Sequence, residues 1–198
     1  MRRRRHGFSY IELLITLVII GMMYLAMWGP NSPSGRARSR AQCLQQLAQM
    51  HSVLALYAAE HDGEFPAVPG ALRAEPPLSL LVPLYTTDTS IFTCPASGDS
   101  ELPGARPFAD RRISYAYVMG LKRDADPGTL LVSDAQLDTR AKTEGEALFS
   151  TTGSAPGHNH GSTGGNLLFV DGHVESTGAL APRALLLPPG ATLLNPKR

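Results

Sequence analysis

Five side chains able to bind a metal ion or move a proton fall between positions 158 and 175: His158, His160, Asp171, His173 and Glu175. Imidazole nitrogens and carboxylate oxygens are donors that divalent first-row ions accept. His158 and His160 are two apart, and on an extended segment both rings would point to one side. His158, His160, Asp171 and His173 therefore form a candidate set for a divalent metal ion, with Asp134 as a neighbour it could recruit. A second reading stands beside it. Ser154-Ala-Pro-Gly-His158-Asn-His160-Gly-Ser-Thr-Gly-Gly is a glycine-rich and poorly rigid frame, and Asp171 is already used by a turn. On that reading the histidines are solvent-exposed or backbone-bonded loop residues and no cofactor is required. A membrane-tethered metal-dependent hydrolase built on His158, His160 and Asp171 lacks a base, nucleophile and oxyanion-donor set. The tripeptide His158-Asn159-His160 does not signal an HNH nuclease, since no ββα-metal unit surrounds it. The chain is expected not to be an enzyme.

One more ionisable side chain calls for a chemical explanation. Glu12 is the single charge in Phe8–Trp28, which reads FSYIELLITLVIIGMMYLAMW. A helix over these residues reaches roughly 30 Å, the thickness of a bilayer's hydrocarbon core. A carboxylate costs about 2.5–3.5 kcal/mol at mid-bilayer and less near the end of a span. Glu12 either snorkels to the interface or meets a positive partner inside the membrane. Arg2 to Arg5 and His6 precede the segment and place the N-terminus in the cytoplasm. Arg36, Arg38 and Arg40 on the far side are the weaker flank. The Ala26-Met-Trp28-Gly-Pro that follows the span is not a small-x-small cleavage site, so the segment is expected to stay with the mature protein. The overall charge of +1 points to no polyanionic partner, and nucleic acid is not expected to be one.

Gly7-Phe8-Ser9-Tyr10-Ile11-Glu12-Leu13-Leu14, preceded by arginines and followed by an apolar run, resembles the type IV prepilin signal. The resemblance implies cleavage by a prepilin peptidase after Gly7 and methylation of the new N-terminal residue, Phe8. It implies that Glu12 then pairs with the Phe8 amine of a neighbouring subunit during filament assembly. The implied role is a structural subunit of a type II secretion pseudopilus or a type IV pilus-like filament. The implied partners are the peptidase, like or unlike pilin subunits, an inner-membrane assembly platform and the bilayer. The location is the bacterial inner membrane, with a single pass, a periplasmic body and a path into an extruded filament. Pseudopilin is preferred to minor pilin. Gly165-Asn166-Leu-Leu-Phe-Val-Asp171-Gly172-His-Val is similar to a processing-associated motif of pilin-like proteins, a histidine, nine residues, then Asp-Gly; here ten residues separate His160 from Asp171. The competing function is a membrane-anchored periplasmic module that binds a carbohydrate or metal ion and forms no filament.

The elements that must position these residues follow from patterning. Residues 1–7 read as leader, 8–28 as membrane and assembly helix, 29–35 as a break, and 36–198 as the body. Two prolines and two glycines in Gly29–Gly35 argue for the break. From Arg36 to about His61 the spacing of Cys43, Leu47, Met50, Leu54 and Tyr57 predicts a helix with one apolar stripe, ended by Asp62-Gly63. Residues 66–112, rich in proline and poor in periodicity, read as loops with short strands or turns. Ile113–Val118, Thr129–Ser133 and Asn166–Val170 predict strands, the last turning at Asp171-Gly172 into His173–Thr177. The expected fold is α+β, pilin-like: the N-terminal hydrophobic helix extends into an amphipathic helix packed on an antiparallel sheet. The tail after Pro182 carries no readable signal. In an oxidising periplasm a Cys43–Cys94 bridge is expected if the loop holding Cys94 packs on the stripe. Otherwise the two are separate small core residues.

Overall fold

The structure, a computed structural model, describes residues 9–28, 32–99, 108, 111–182 and 184–197. Gly7 and Phe8, and the arginines before them, lie outside the described residues. The chain divides into two compact units, Met1–Arg38 and Ser39–Arg198.

In the first unit, helix α1 covers Tyr10–Trp28. Its first turn closes on Ser9, whose carbonyl accepts from the Glu12 and Leu13 amides at 2.9 and 3.1 Å. Every side chain from Tyr10 to Met27 is exposed, and Tyr10–Met27 has a mean hydropathy of 2.1, long and apolar enough to cross a membrane. Thr16, a polar residue in this run, satisfies its hydroxyl inside the helix by donating to Leu13 O at 2.8 Å. Among the described residues no other helix passes the same test.

Helix α2 covers Pro33–Glu60, three residues earlier than the spacing predicts and into the expected break. The reason is local. Ser32 Oγ accepts from the Gly35 amide at 3.0 Å, an N-cap, and Pro33 occupies the first helical position, where its missing N–H is no loss. Pro33, one of the two prolines that argue for a break, thus starts the second helix. In the body, the α2 stripe of Cys43, Leu47, Met50, Leu54 and Tyr57 is buried. A short helix α3 follows at Glu75–Ser79, and a 3-10 turn at Ser90–Phe92 leads to Cys94.

Five antiparallel strands form the sheet: β1 Tyr115–Met119, β2 Leu130–Asp134, β3 Gly165–Phe169, β4 Val174–Thr177 and β5 Thr192–Leu194. Their order is β4-β3-β2-β1-β5. β1, β2 and β3 are buried along almost their whole length, so both sheet faces are covered. On one face Tyr115 Oη donates to Gln46 Oε1 of α2 at 3.1 Å, and Tyr117 Oη donates to Pro66 O at 2.8 Å. The other face is covered by irregular segments held to each other by backbone bonds, such as Lys142 N to Leu185 O at 2.9 Å and Leu148 N to Ala179 O at 2.9 Å.

Two expectations need correction. The unreadable tail supplies β5, which pairs with Tyr117–Met119 on the free side of β1. The hairpin between β3 and β4 forms, but not as a two-residue turn with two positive φ values. Val170–His173 make the connection, and only Gly172 is left-handed, at φ 92°. Asp171 keeps a negative φ because its carboxylate shapes the turn instead, accepting from the His173 amide at 3.0 Å. A Cβ at Gly172 would lie 2.6 Å from the His51 ring, which reaches Val170 O at 3.1 Å.

Candidate functional site

The body concentrates its buried polar chemistry where α2, the Cys94 loop, the end of β2 and the loop before β3 meet. Cys43 from α2 and Cys94 are joined in a disulfide, with Cα atoms 5.6 Å apart. The meeting follows from the sequence pattern: Cys43 opens the apolar stripe, and Ile91 and Phe92 bury the segment that carries Cys94. Against this bridge lie Asp134, at the last position of β2, and His160. His160 Nε2 is 3.5 Å from Cys94 Sγ and 3.4 Å from Asp134 Oδ2.

A chain of hydrogen bonds sets the polarity of this cluster. Arg40 on α2 can only donate. Its Nε donates to Ser176 Oγ at 2.9 Å. Its remaining nitrogens reach Thr163 O at 3.2 Å, Gly165 O at 3.3 Å and Thr177 O at 2.8 Å. Ser176 in turn gives its hydroxyl hydrogen to Asn166 Oδ1. That orients Asn166 Nδ2 toward His160 Nε2 at 3.2 Å, so this ring nitrogen accepts and carries a lone pair. Burial acts in the same sense and holds the His160 pKa below the ordinary histidine value, with Asp134 pulling it back up and Arg40 pushing it further down.

Asp134 is fully buried, and burial raises its pKa. His160 and two hydrogen bonds oppose the rise: Oδ1 accepts from Asn159 Nδ2 at 2.8 Å and Oδ2 from the Asn166 amide at 2.6 Å. The Asp134–His160 approach thus brings the carboxylate to the ring nitrogen that accepts from Asn166 Nδ2. It is not a catalytic relay beside Cys94. A relay needs the sulfur on one ring nitrogen and the carboxylate on the other, whereas here both face Nε2.

The four residues of the candidate metal set end in different places. His158 is exposed, while His160 is buried two residues later. The segment is not extended: Gly157 and Gly161 take φ of 76° and 65°, and Gly161 N closes a turn on His158 O at 2.8 Å. The rings accordingly diverge. Asp171 and His173 pair with each other at 2.6 Å on the exposed hairpin tip, and the pairing with His173 lowers the Asp171 pKa. Among the described residues a single group of three or more His, Cys, Asp or Glu side chains converges, with one donor atom each within 4.8 Å of the others: Cys43, Cys94, Asp134 and His160.

Among the described residues the body also holds two cavities, the first beside Asn159 and the second by the start of β2. One of about 190 Å³ is lined by Asp99, Ser114, Gln136, His158 and Asn195 among others. A larger one, about 470 Å³, is apolar and lined by Leu130, Leu167, Phe169, Leu185 and Pro188. Glu12, in the other unit, is exposed among the exposed apolar side chains of α1.

Sequence reading missed Arg40 and Asn166. Arg40 reads as one of three flanking cations, and its partners lie 123 to 137 positions away. The available signal for Asp134 was a carboxylate ending a strand that opens on an apolar run, Leu130-Leu-Val-Ser-Asp134. Comparison of the chain with protein-family models, with curated proteins and with solved structures finds no match.

Proposed function

We propose that this chain is a type IV pilin-like subunit, of the pseudopilin kind, that assembles into a short filament on a bacterial inner membrane. The observation that carries the reading is α1: nineteen helical residues, exposed and mostly apolar from Tyr10 to Met27, with a single carboxylate at Glu12 in the first turn. An apolar surface of this extent is unstable in water and belongs in lipid or in a helical filament core. Within such a core Glu12 requires a cation at its own depth, and the amine of Phe8, released by cleavage after Gly7, supplies one. The order of elements supports the same reading: a membrane helix, then a second helix whose apolar stripe leads into an antiparallel sheet. On this proposal the Arg2–Arg5 leader stays cytoplasmic and Ser39–Arg198 is periplasmic. The work done is mechanical assembly, and no catalytic step is assigned to the body.

The test is intact-mass and N-terminal peptide mass spectrometry of protein extracted from membranes of the native cell. A chain starting at Phe8 with one added methyl group supports the proposal. A chain retaining Arg2, or starting after Trp28, refutes it. Glu12→Ala should leave membrane insertion intact and abolish cross-linking between subunits. Unchanged assembly in that variant would favour an anchored binding module.

A further inference from the structure

Cysteines enter every protein as thiols, and the Cys43–Cys94 bridge forms only when two electrons and two protons leave for an oxidant. We propose that, before this oxidation, Cys43, Cys94, His160 and Asp134 form a buried site for one zinc-class divalent ion, and that closing the disulfide expels it.

Four observations carry the inference. The donor atoms come from four separate segments yet all lie within 4.8 Å of one another. All four side chains are buried, so water does not compete as it does for exposed acidic clusters. Tetrahedral zinc, with bonds of about 2.0–2.3 Å, spaces neighbouring ligand atoms roughly 3.3–3.8 Å apart. The His160 contacts to Cys94 Sγ and Asp134 Oδ2, 3.5 and 3.4 Å, already fall in that range; the other donor pairs lie within 4.8 Å, and the two bonded sulfurs must part. The nitrogen facing the sulfurs is an acceptor, its lone pair held by Asn166 Nδ2 at 3.2 Å, and that amide yields it when the ion binds.

The supporting shell is in place as well. Asn159 Nδ2 and the Asn166 amide each hold one Asp134 oxygen, which fixes the carboxylate as hydrogen bonds to ligands commonly do. Two thiolates with an imidazole and a carboxylate are a donor set suited to zinc and poorly suited to magnesium or calcium.

The chemistry balances. Loading is a ligand exchange in which one Zn²⁺ replaces two thiol protons. On oxidation, a disulfide-bearing oxidant accepts two electrons from the two thiolates and takes up two protons. The chain's S–S bond forms, the oxidant leaves as two thiols, and Zn²⁺ departs with His160 and Asp134 still in place. The ion would hold the nascent body together before the covalent link replaces it.

The test uses the full chain in detergent micelles. A phosphine reduces the bridge, one water oxygen passing to phosphorus as two thiols form; excess phosphine is then removed and cobalt(II) is titrated anaerobically. The expected result is one ion per chain, with a sulfur-to-cobalt charge-transfer band and the intense visible bands of tetrahedral cobalt. Zinc should displace it, and the oxidised chain should show neither band. His160→Ala should weaken cobalt binding at least tenfold. X-ray absorption on the zinc-loaded wild type does not depend on any variant folding, and should show two sulfur and two nitrogen or oxygen neighbours. The proposal is overturned if the reduced chain gives no charge-transfer band. It is equally overturned if the absorption shell lacks two sulfurs, or if folded His160→Ala binds as tightly as wild type. None of these readouts depends on filament assembly.

Discussion

Replacing Arg40 by methionine keeps the length and most of the apolar contact of the side chain while removing four donated hydrogen bonds. Two of these, to Gly165 O and Thr177 O, are partly buried; the bonds to Ser176 Oγ and Thr163 O are exposed and water takes them over. A hydrogen bond to a charged group contributes about 1.5–3 kcal/mol net, and the partly buried pair at the low end gives about 3 kcal/mol. For a body of this size each kcal/mol moves the melting temperature by about 2–4 °C, so the expected drop is about 6–12 °C. Arg40→Lys retains the charge but cannot span the three carbonyls from one nitrogen, and should lose about 2 kcal/mol. The assay is urea unfolding of the full chain in micelles, followed by near-ultraviolet circular dichroism. The buried Tyr115 and Tyr117 report on the body there, and the one tryptophan, Trp28, lies in the other unit. A loss below about 1 kcal/mol for Arg40→Met would refute the reasoning, as would a lysine variant equal to wild type.

Three further outcomes are expected. The disulfide closes a segment with a sequence separation of 51. The chain-entropy relation gives about 4 kcal/mol for a loop of this length, so Cys43→Ala with Cys94→Ala should lower the urea-derived stability by that order under metal-free conditions. A loss under about 1.5 kcal/mol would contradict it. Gly164 sits at φ 100°, where an added Cβ would run into Thr177 O, so Gly164→Ala should cost more than about 3 kcal/mol by the same measurement. Glu75 is 1 % exposed, and burial raises its pKa above 4.5 against the Lys197 amide that donates to it. A raised folded-state value means that the folded state holds the proton more tightly. Its contribution is thus complete below pH 4.5 and is lost as pH rises through the folded-state value. Glu75→Gln should remove this segment of the stability–pH curve and raise the melting temperature at pH 8; an unchanged curve would count against it.

What could be read from the sequence was what depends on near neighbours. The α2 stripe shows in a 4, 3, 4, 3 spacing because one helix face repeats at that period, and all five of its residues are buried. The β3–β4 hairpin shows in Asp171-Gly172, although its detailed turn depends on the His51 ring from α2. The Cys43–Cys94 bridge was legible as a conditional, since one cysteine lay on a stripe and one on a buried loop. The polar cluster was not. Asp134 and His160 are brought together by the pairing of β2 with β3, and Arg40 joins them from a helix more than ninety positions earlier. His158 looked equivalent to His160 because two-residue periodicity assumes an extended chain, and two left-handed glycines remove that assumption. The irregular layer over the second sheet face has no period at all. Its order comes from backbone bonds between segments forty residues apart, such as Lys142 and Leu185.

The place of β5 in the sheet has a kinetic consequence. Thr192–Leu194 complete the side of β1 that faces away from β2, so the five-stranded sheet closes only when these residues are available. Until then β1 presents an open edge, and an open edge of a buried strand is a site for wrong partners. Pairings between positions as distant as Tyr117 and Leu194 form slowly, because a long loop must close first. During synthesis the sheet therefore stays incomplete until Thr192–Leu194 have been made and can reach β1. A chain held short of Thr192 stays unlocked and open to passage through a narrow channel, to a chaperone or to a protease. Thr192–Leu194, which pattern alone leaves blank, act as the latch that ends that interval.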